Sequence, residues 1–422
     1  MAKESGISPI SVAYIQDGAR MHYAQPLALH RQAMLCALYT DWYNDQSFVA
    51  KTAIAVARRI SPASAARMEQ RCHPDLAGVP VFHHPLLGLL GPLAWKRSPT
   101  ETAIGRWALA RMAGSELKRG PLVGNPGYPT LVMGPVLCFS PESVKIFQSR
   151  GIRVVVDQVI APLREVIRQR ELQQARWARW ESNDDGRDSG KMAAAEELLL
   201  REVDHIVAPS EYVGDSLRSV GLEANRVSLL EYPMDANCYT TANRSGRNGP
   251  MVLGFVGAVG LRKGIPWLVE ALKHIDPAIF RCVVVGPVGL TDYGLAELKR
   301  VAEVIGPVPR GEVARWMEKF DVFFFPSTCE GSPTVVAEAM ATGLPVVTSL
   351  AGGQLIREGI DGFVRPYDQP DEYAKCITLL AKDREMRLAM GTAARQRVEE
   401  FSIDAYGRGL REIIRGVTGA VP

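Results

Sequence analysis

The chain reads as an α/β protein with two parallel-sheet domains. Three observations predict this. Short apolar runs ending in polar or glycine-bearing loops alternate with helical segments along both halves. The run Val322-Phe323-Phe324-Phe325, closed by Pro326, is followed by a loop, a helix and a further strand at Pro345-Val346-Val347-Thr348, the repeating unit of a parallel sheet. At 422 residues the chain exceeds what a single core usually supports, so two domains are expected.

In the first half, Ile10–Ile15 reads as the opening strand and Gln16–Tyr23 as its loop. Pro26–Leu38 reads as a helix, and Leu38-Tyr39-Thr40 begins a second strand. Arg153–Asp157 is a later strand that ends on a polar residue. Leu163–Trp180 is a charged helix, Asn183–Gly190 a turn and Ala193–Val203 another helix. Asp204–Ser210 is a strand and its end, and Val227–Asp235 completes this half. The polar segment Thr240–Pro250 reads as a linker. The expected division is residues 1–240, residues 251–400 and a final segment 401–422.

In the second half, Gly254-Phe255-Val256 is a strand. The glycines from Gly257 to Gly264 permit tight turns and close approach of a ligand, and Trp267–Leu272 is helical. Arg262 and Lys263 stand at the carboxyl edge of the strand, where a diphosphate needs cations. The spacing is not G-x-G-x-x-G, so no dinucleotide fingerprint is read. Cys282–Val285 is the next strand, with Gly286-Pro287 as its loop. Gly306–Pro309 precedes the helical run Glu312–Met317. After Phe325, Ser332 suits an N-cap, Pro333 the first helical position and Gly343 the stop.

Ligands of parallel sheets sit outside the carboxyl ends of the strands, the place of the loop Ser327–Ser332. The free N–H groups of Ser332 to Thr334 and the helix dipole favour a phosphate. Glu330 and Glu338 bracket this corner with seven residues between them. Glu330 is either an acceptor for sugar hydroxyls or a solvated loop charge. Glu338 lies ~9 Å along the axis at ~1.5 Å per residue. It is set among Val335, Val336, Ala339, Met340 and Ala341, so it needs a partner: ribose hydroxyls or a neighbouring arginine.

Taken together, Phe325–Ser349 resembles the donor-binding signature of retaining glycosyltransferases of family four, which have the GT-B fold. The resemblance implies that Glu330 faces the sugar and Glu338 the ribose. It also implies a UDP- or GDP-sugar donor, no metal and no cofactor. In that family an Arg often follows the glycine of the first strand, and a Lys precedes the loop glycine. Lys263 matches the latter. Ala258 holds the former, so Arg262 is expected to supply the second charge beside the catalytic Glu330 and Lys263. Gly257, Ser332, Pro333, Thr334, Val335 and Glu338 complete the implied donor site, with Pro309 near the base. The resemblance covers Asp204–Ile414 and implies that the last helix crosses back onto the amino-terminal domain. Residues 1–200 share only the strand–helix rhythm. There Gly18, Arg20, His22 and Asp157, at expected strand ends, are the acceptor-side candidates.

The implied activity is retaining transfer of a hexose-type sugar from a nucleoside diphosphate to a glycan, lipid-linked or small-molecule acceptor, as in surface polysaccharide assembly. A nucleotide-sugar epimerase or hydrolase and a non-catalytic nucleotide-sugar-binding subunit stay open as alternatives.

Composition narrows the classes. A net charge of +3 gives no argument for nucleic acid. The seven cysteines (36, 72, 138, 238, 282, 329 and 376) form no C-x-x-C pair, which points to a reducing cytosol and away from zinc. Met1–Pro9 lacks an apolar leader core, and no run of about 18 apolar residues is present. A cytoplasmic location is therefore expected. Residues 51–119 carry 11 Lys/Arg against 4 Asp/Glu around the apolar stretch Val79–Arg97. That pattern suits either peripheral contact with an anionic membrane or core flanked by solvated charge.

Overall fold

Branched and aromatic residues concentrate in short strands that build two sheets. The structure is a computed structural model; it describes residues 10–83, 106–112, 128–182, 189–241, 244, 246 and 249–419. Among these, β1 (Val12–Gln16), β2 (Leu35–Thr40), β3 (Val81–His83), β4 (Leu131–Pro135), β5 (Arg153–Asp157), β6 (His205–Ala208) and β7 (Val227–Leu229) form one parallel sheet. Its order is β3-β2-β1-β4-β5-β6-β7. The second parallel sheet comprises β8 (Met251–Val256), β9 (Phe280–Val285), β10 (Glu303–Gly306), β11 (Val322–Phe325), β12 (Val346–Ser349) and β13 (Gly362–Arg365). It runs β10-β9-β8-β11-β12-β13. The central strands β1, β4, β11 and β12 are buried at every residue. That is why they read as continuous apolar runs rather than as alternations. In each sheet the strand order reverses beside the first strand, at β1/β4 and at β8/β11. The loops at those switch points are where such sheets take ligands.

The last helix, Ile403–Thr418, lies against the helix Ala24–Arg31. Its Tyr406, Leu410 and Ile414 are buried with Val12, Tyr14 and Leu27 of the first sheet. Arg31 pairs with Asp404 at 3.2 Å, and Arg411 donates to the Gln32 carbonyl at 3.1 Å.

Several boundaries differ from those expected. The helix read to Leu38 ends at Arg31, and β2 begins at Leu35. Ala33 turns left-handed (φ 56°) and Met34 N–H returns to the Leu29 carbonyl, so the chain reverses early and the apolar run Leu35–Tyr39 pairs with β1. The helix read to Trp180 stops at Arg176, where Trp177 leaves helical backbone (φ −122°). Trp180 instead joins the core of the second sheet. Ser332 is not the N-cap: the helix is Thr334–Ala341 with Pro333 before it at ψ 107°. The cause is Gly331, which forms a bridge with Ile160 of the first half and keeps the chain extended one residue longer. The stop at Gly343 is as expected, with φ 73°. Within the segment read as a linker, Arg244 is buried and donates to the carbonyls of Phe320 (2.6 Å) and Thr342 (2.9 Å). The turn Asn183–Gly190 and the apolar stretch Val79–Arg97 fall largely outside the described residues.

Candidate functional site

The loop after β8 and the loop after β11 meet at the switch point of the second sheet. Gly264 (φ 73°) makes the approach possible: a β-carbon there would fall 1.9 Å from the Pro326 carbonyl oxygen. The Arg262 carbonyl accepts from Thr328 N–H (2.9 Å) and from the Ser327 hydroxyl (3.0 Å), which fixes one loop on the other.

This contact brings three of the expected residues together. Glu330 Oε1 accepts from Lys263 Nζ at 2.5 Å, from Arg262 Nη1 at 3.2 Å and from Ser327 Oγ at 2.5 Å. Arg262 also donates to the Cys329 carbonyl at 2.9 Å. Glu330 is buried, at 6% exposure, so it requires these donors. Lys263 lies over the Phe325 ring, its Nζ 5.0 Å from the centroid. Burial lowers the Lys263 pKa; Glu330 opposes that shift and the Arg262 charge adds to it. The solvated-charge reading of Glu330 is thereby excluded.

The helix Thr334–Ala341 starts beside this cluster. Thr334 and Val335 are its first residues, and no side chain caps its opening N–H groups. Glu338 is buried further along and bonds Arg310 Nη2 at 3.0 Å. Arg310 is thus the neighbouring arginine that the sequence allowed as a partner. Burial raises the Glu338 carboxyl; Arg310 and the Tyr239 hydroxyl oppose that. Pro309 immediately precedes the helix Arg310–Met317 and so delivers Arg310. Gly257 follows β8, with its N–H on the Val285 carbonyl at 3.0 Å.

The amino-terminal candidates do not form one cluster. Gly18 (φ 65°) donates its N–H to Asp41 at 2.8 Å. His22 is exposed and left-handed (φ 52°). Asp157, at the end of β5, is fully buried; it accepts from the Tyr232 hydroxyl at 2.9 Å and from Gln25 Nε2. Burial pushes its pKa up to about 6, opposed by Tyr232, the Arg20 charge and Gln25. Arg20 and Asp157 therefore interact, but Asp157 offers no surface to a substrate.

Sequence reasoning missed Ser327, Arg310 and the residues with which the first half touches the site. Ile160 pairs with Gly331, and the Tyr212 hydroxyl donates to the Thr328 carbonyl at 3.4 Å and to Glu165 at 3.1 Å. Tyr212 also lines a cavity of ≈ 480 Å³ between the halves, with Glu231, Leu350 and Gln354 on its walls. Arg310 carried one signal: a cation at a helix start, where the dipole disfavours it, needs an acidic partner. Among the described residues, no group of three or more His, Cys, Asp or Glu side chains is placed to hold a metal ion. No described helix is long and apolar enough to cross a membrane.

Residues 250–383 match the family described as Glycosyl transferases group 1. The matched span contains every residue of the Glu330 cluster. A D-inositol 3-phosphate glycosyltransferase of Xylanimonas cellulosilytica is 31% identical over 253 residues, covering 54% of this chain and 60% of that protein. The sulfoquinovosyl transferase SQD2 of Arabidopsis thaliana is 32% identical over 221 residues, covering 48% of this chain and 43% of that protein. The chain thus spans between two fifths and three fifths of the length of these relatives. Among solved structures, Anabaena HepE in complex with UDP and glucose superposes with a TM-score of 0.59 at 16% identity, covering 96% of this chain and 100% of that one. The sucrose-phosphate synthase of Thermosynechococcus elongatus gives 0.61 at 16% identity over 98% and 100%. The fold is GT-B: two Rossmann-like parallel sheets facing each other, with the last helix returned to the first.

Proposed function

We propose that this protein is a glycosyltransferase that moves a hexose-type sugar from a nucleoside diphosphate, UDP or GDP, with retention at the anomeric carbon. The observation that carries the reading is the Lys263–Glu330–Arg262 cluster at the β8/β11 switch point, next to the opening of the helix Thr334–Ala341. An incoming diphosphate would take over the two cations and the helix N–H groups, and Glu330 would be released to the sugar hydroxyls. The same groups would stabilise the charge that grows on the leaving diphosphate. Glu338 would exchange Arg310 for the ribose. With Glu330 engaged by the sugar hydroxyls, the scheme uses same-face attack by the acceptor and assigns no protein nucleophile, as the family resemblance implies. No metal or cofactor is required in this scheme. The acceptor, a glycan, a lipid-linked sugar or a small molecule, would enter between the halves, and closure would exclude water. A cytoplasmic enzyme meeting the inner membrane surface in polysaccharide assembly is the setting proposed.

The test is a thermal-shift screen with UDP and GDP, followed by mass spectrometry of products from matching nucleotide-sugars and candidate acceptors. A rise in melting temperature with one nucleotide and a glycosylated product support the reading. Donor consumed without any acceptor would favour an epimerase or hydrolase, and no binding of either nucleotide would sink it.

A further inference from the structure

We infer that Glu181, contributed by the amino-terminal half, is a positioning residue for the cation-bearing loop of the other half. The inference rests on the donor reading above.

The segment Trp177–Glu181 crosses between the sheets. Trp180 is 4% exposed within the core of the second sheet. The Trp180 carbonyl accepts Thr291 N–H at 2.8 Å, and the Arg179 carbonyl accepts the Thr291 hydroxyl at 2.5 Å. Trp177 meets Trp267 edge-on at 5.3 Å, and Trp267 Nε1 donates to Gln173 at 2.7 Å. The Glu181 backbone bridges Leu290, and its carbonyl accepts from Gln174. With its backbone so fixed, Glu181 reaches the loop after β8: Oε2 accepts Leu261 N–H at 2.7 Å.

Several other loop groups have partners within their own half. Gly257 N–H goes to Val285, Val259 N–H to Pro287, Gly264 N–H to Leu261, and the Arg262 carbonyl accepts from Thr328 and Ser327. Leu261 N–H is therefore tied to a side chain of the opposite half, immediately before Arg262 and Lys263. The fit is close, since a β-carbon on Gly260 would stand 3.0 Å from the same Oε2. Losing that acceptor strands a half-buried N–H and frees the turn that aims both cations. The effect should fall on the diphosphate and spare the nucleoside.

Calorimetry on the full chain tests this with UDP and with uridine, or with GDP and guanosine if the parent prefers them. Glu181→Ala should weaken diphosphate binding on the order of tenfold while nucleoside affinity stays within about twofold. Glu181→Gln keeps an acceptor oxygen at full reach and should stay within about threefold of the parent. Glu181→Asp, one carbon too short, should behave as alanine does and serves if the alanine variant does not fold. Unchanged diphosphate affinity in the alanine or aspartate variant overturns the inference. So does a parallel loss for nucleoside and diphosphate, which marks a merely structural role. A parent that binds neither UDP nor GDP overturns the donor reading itself, and this inference with it.

Discussion

Lys263 Nζ stands 2.5 Å from Glu330 Oε1, so a cation from the loop after β8 and an acid from the loop after β11 neutralise each other across the switch point. The two residues are 67 apart in sequence and meet only because β8 and β11 are hydrogen-bonded neighbours. On the proposed reading this is a pair that the donor parts, taking the cation with its phosphates and the acid with its hydroxyls.

The pair is unequal in its dependence. Glu330→Ala leaves Lys263 largely buried beside Arg262 with no counter-charge, whereas Lys263→Ala leaves Glu330 bonded to Arg262 and Ser327. We expect a stability loss of about 2–4 kcal/mol for Glu330→Ala and about 1–2 kcal/mol for Lys263→Ala, read by urea unfolding. Both variants should keep the parent's circular dichroism and lose transfer by roughly a hundredfold or more. Unchanged turnover in both rejects their assignment.

Glu338 and Arg310 allow a sharper test of the proposed ribose contact. Arg310 is 75% exposed at its side chain but Glu338 only 5%, so Arg310→Ala should cost about 1–3 kcal/mol by stripping the buried carboxyl of its cation. If Glu338 exchanges that arginine for ribose hydroxyls, the parent and Arg310→Ala should prefer UDP to 2′-deoxy-UDP by about tenfold, and Glu338→Ala should not. A preference that survives in Glu338→Ala removes the residue from the donor site.

Asp157 predicts a pH dependence of stability. Its folded pKa of about 6 lies above the unfolded value of about 3.9. Between those values the folded chain binds the additional proton, so this group favours folding at the acid end. That contribution is lost as pH rises through about 6. The span is at most about 3 kcal/mol. Asp157→Asn should flatten the unfolding free energy over that window, and an unchanged slope contradicts the assignment.

Gly331 tests the contact between the halves. A β-carbon there would fall 2.0 Å from the Val159 carbonyl oxygen. Gly331→Ala should therefore wedge the two sheets apart, costing about 1–3 kcal/mol and most of the turnover. X-ray scattering should find a larger radius of gyration, and an unaltered scattering curve would show that the loop absorbs the methyl group instead.

The two-sheet architecture was legible because buried parallel strands announce themselves as apolar runs, as Val322–Phe325 and Arg153–Asp157 do. The pairing of Lys263, Arg262 and Glu330 was half legible: their loops were placed at one strand edge, but charges expected to meet a ligand meet each other first. What sequence could not give is contact across the halves. Trp180 looked like the end of a charged helix because the surface that buries it lies more than seventy residues later. Ser332 matched an N-cap by type, and its displacement by one residue depends on Ile160 pairing with Gly331. Asp157 looked like a strand-end ligand group, yet Tyr232 and Gln25, distant in sequence, enclose it.

The closing helix has a consequence for biogenesis. Residues 403–418 cover the apolar face formed by Val12, Tyr14 and Leu27. During synthesis that face emerges nearly four hundred residues before its cover. At ~5–20 residues per second it stays bare for roughly 20–80 s. The first sheet cannot finish before the second has left the ribosome, so truncation near the carboxyl end should damage the opposite end of the chain and leave a sticky patch for chaperones to shield.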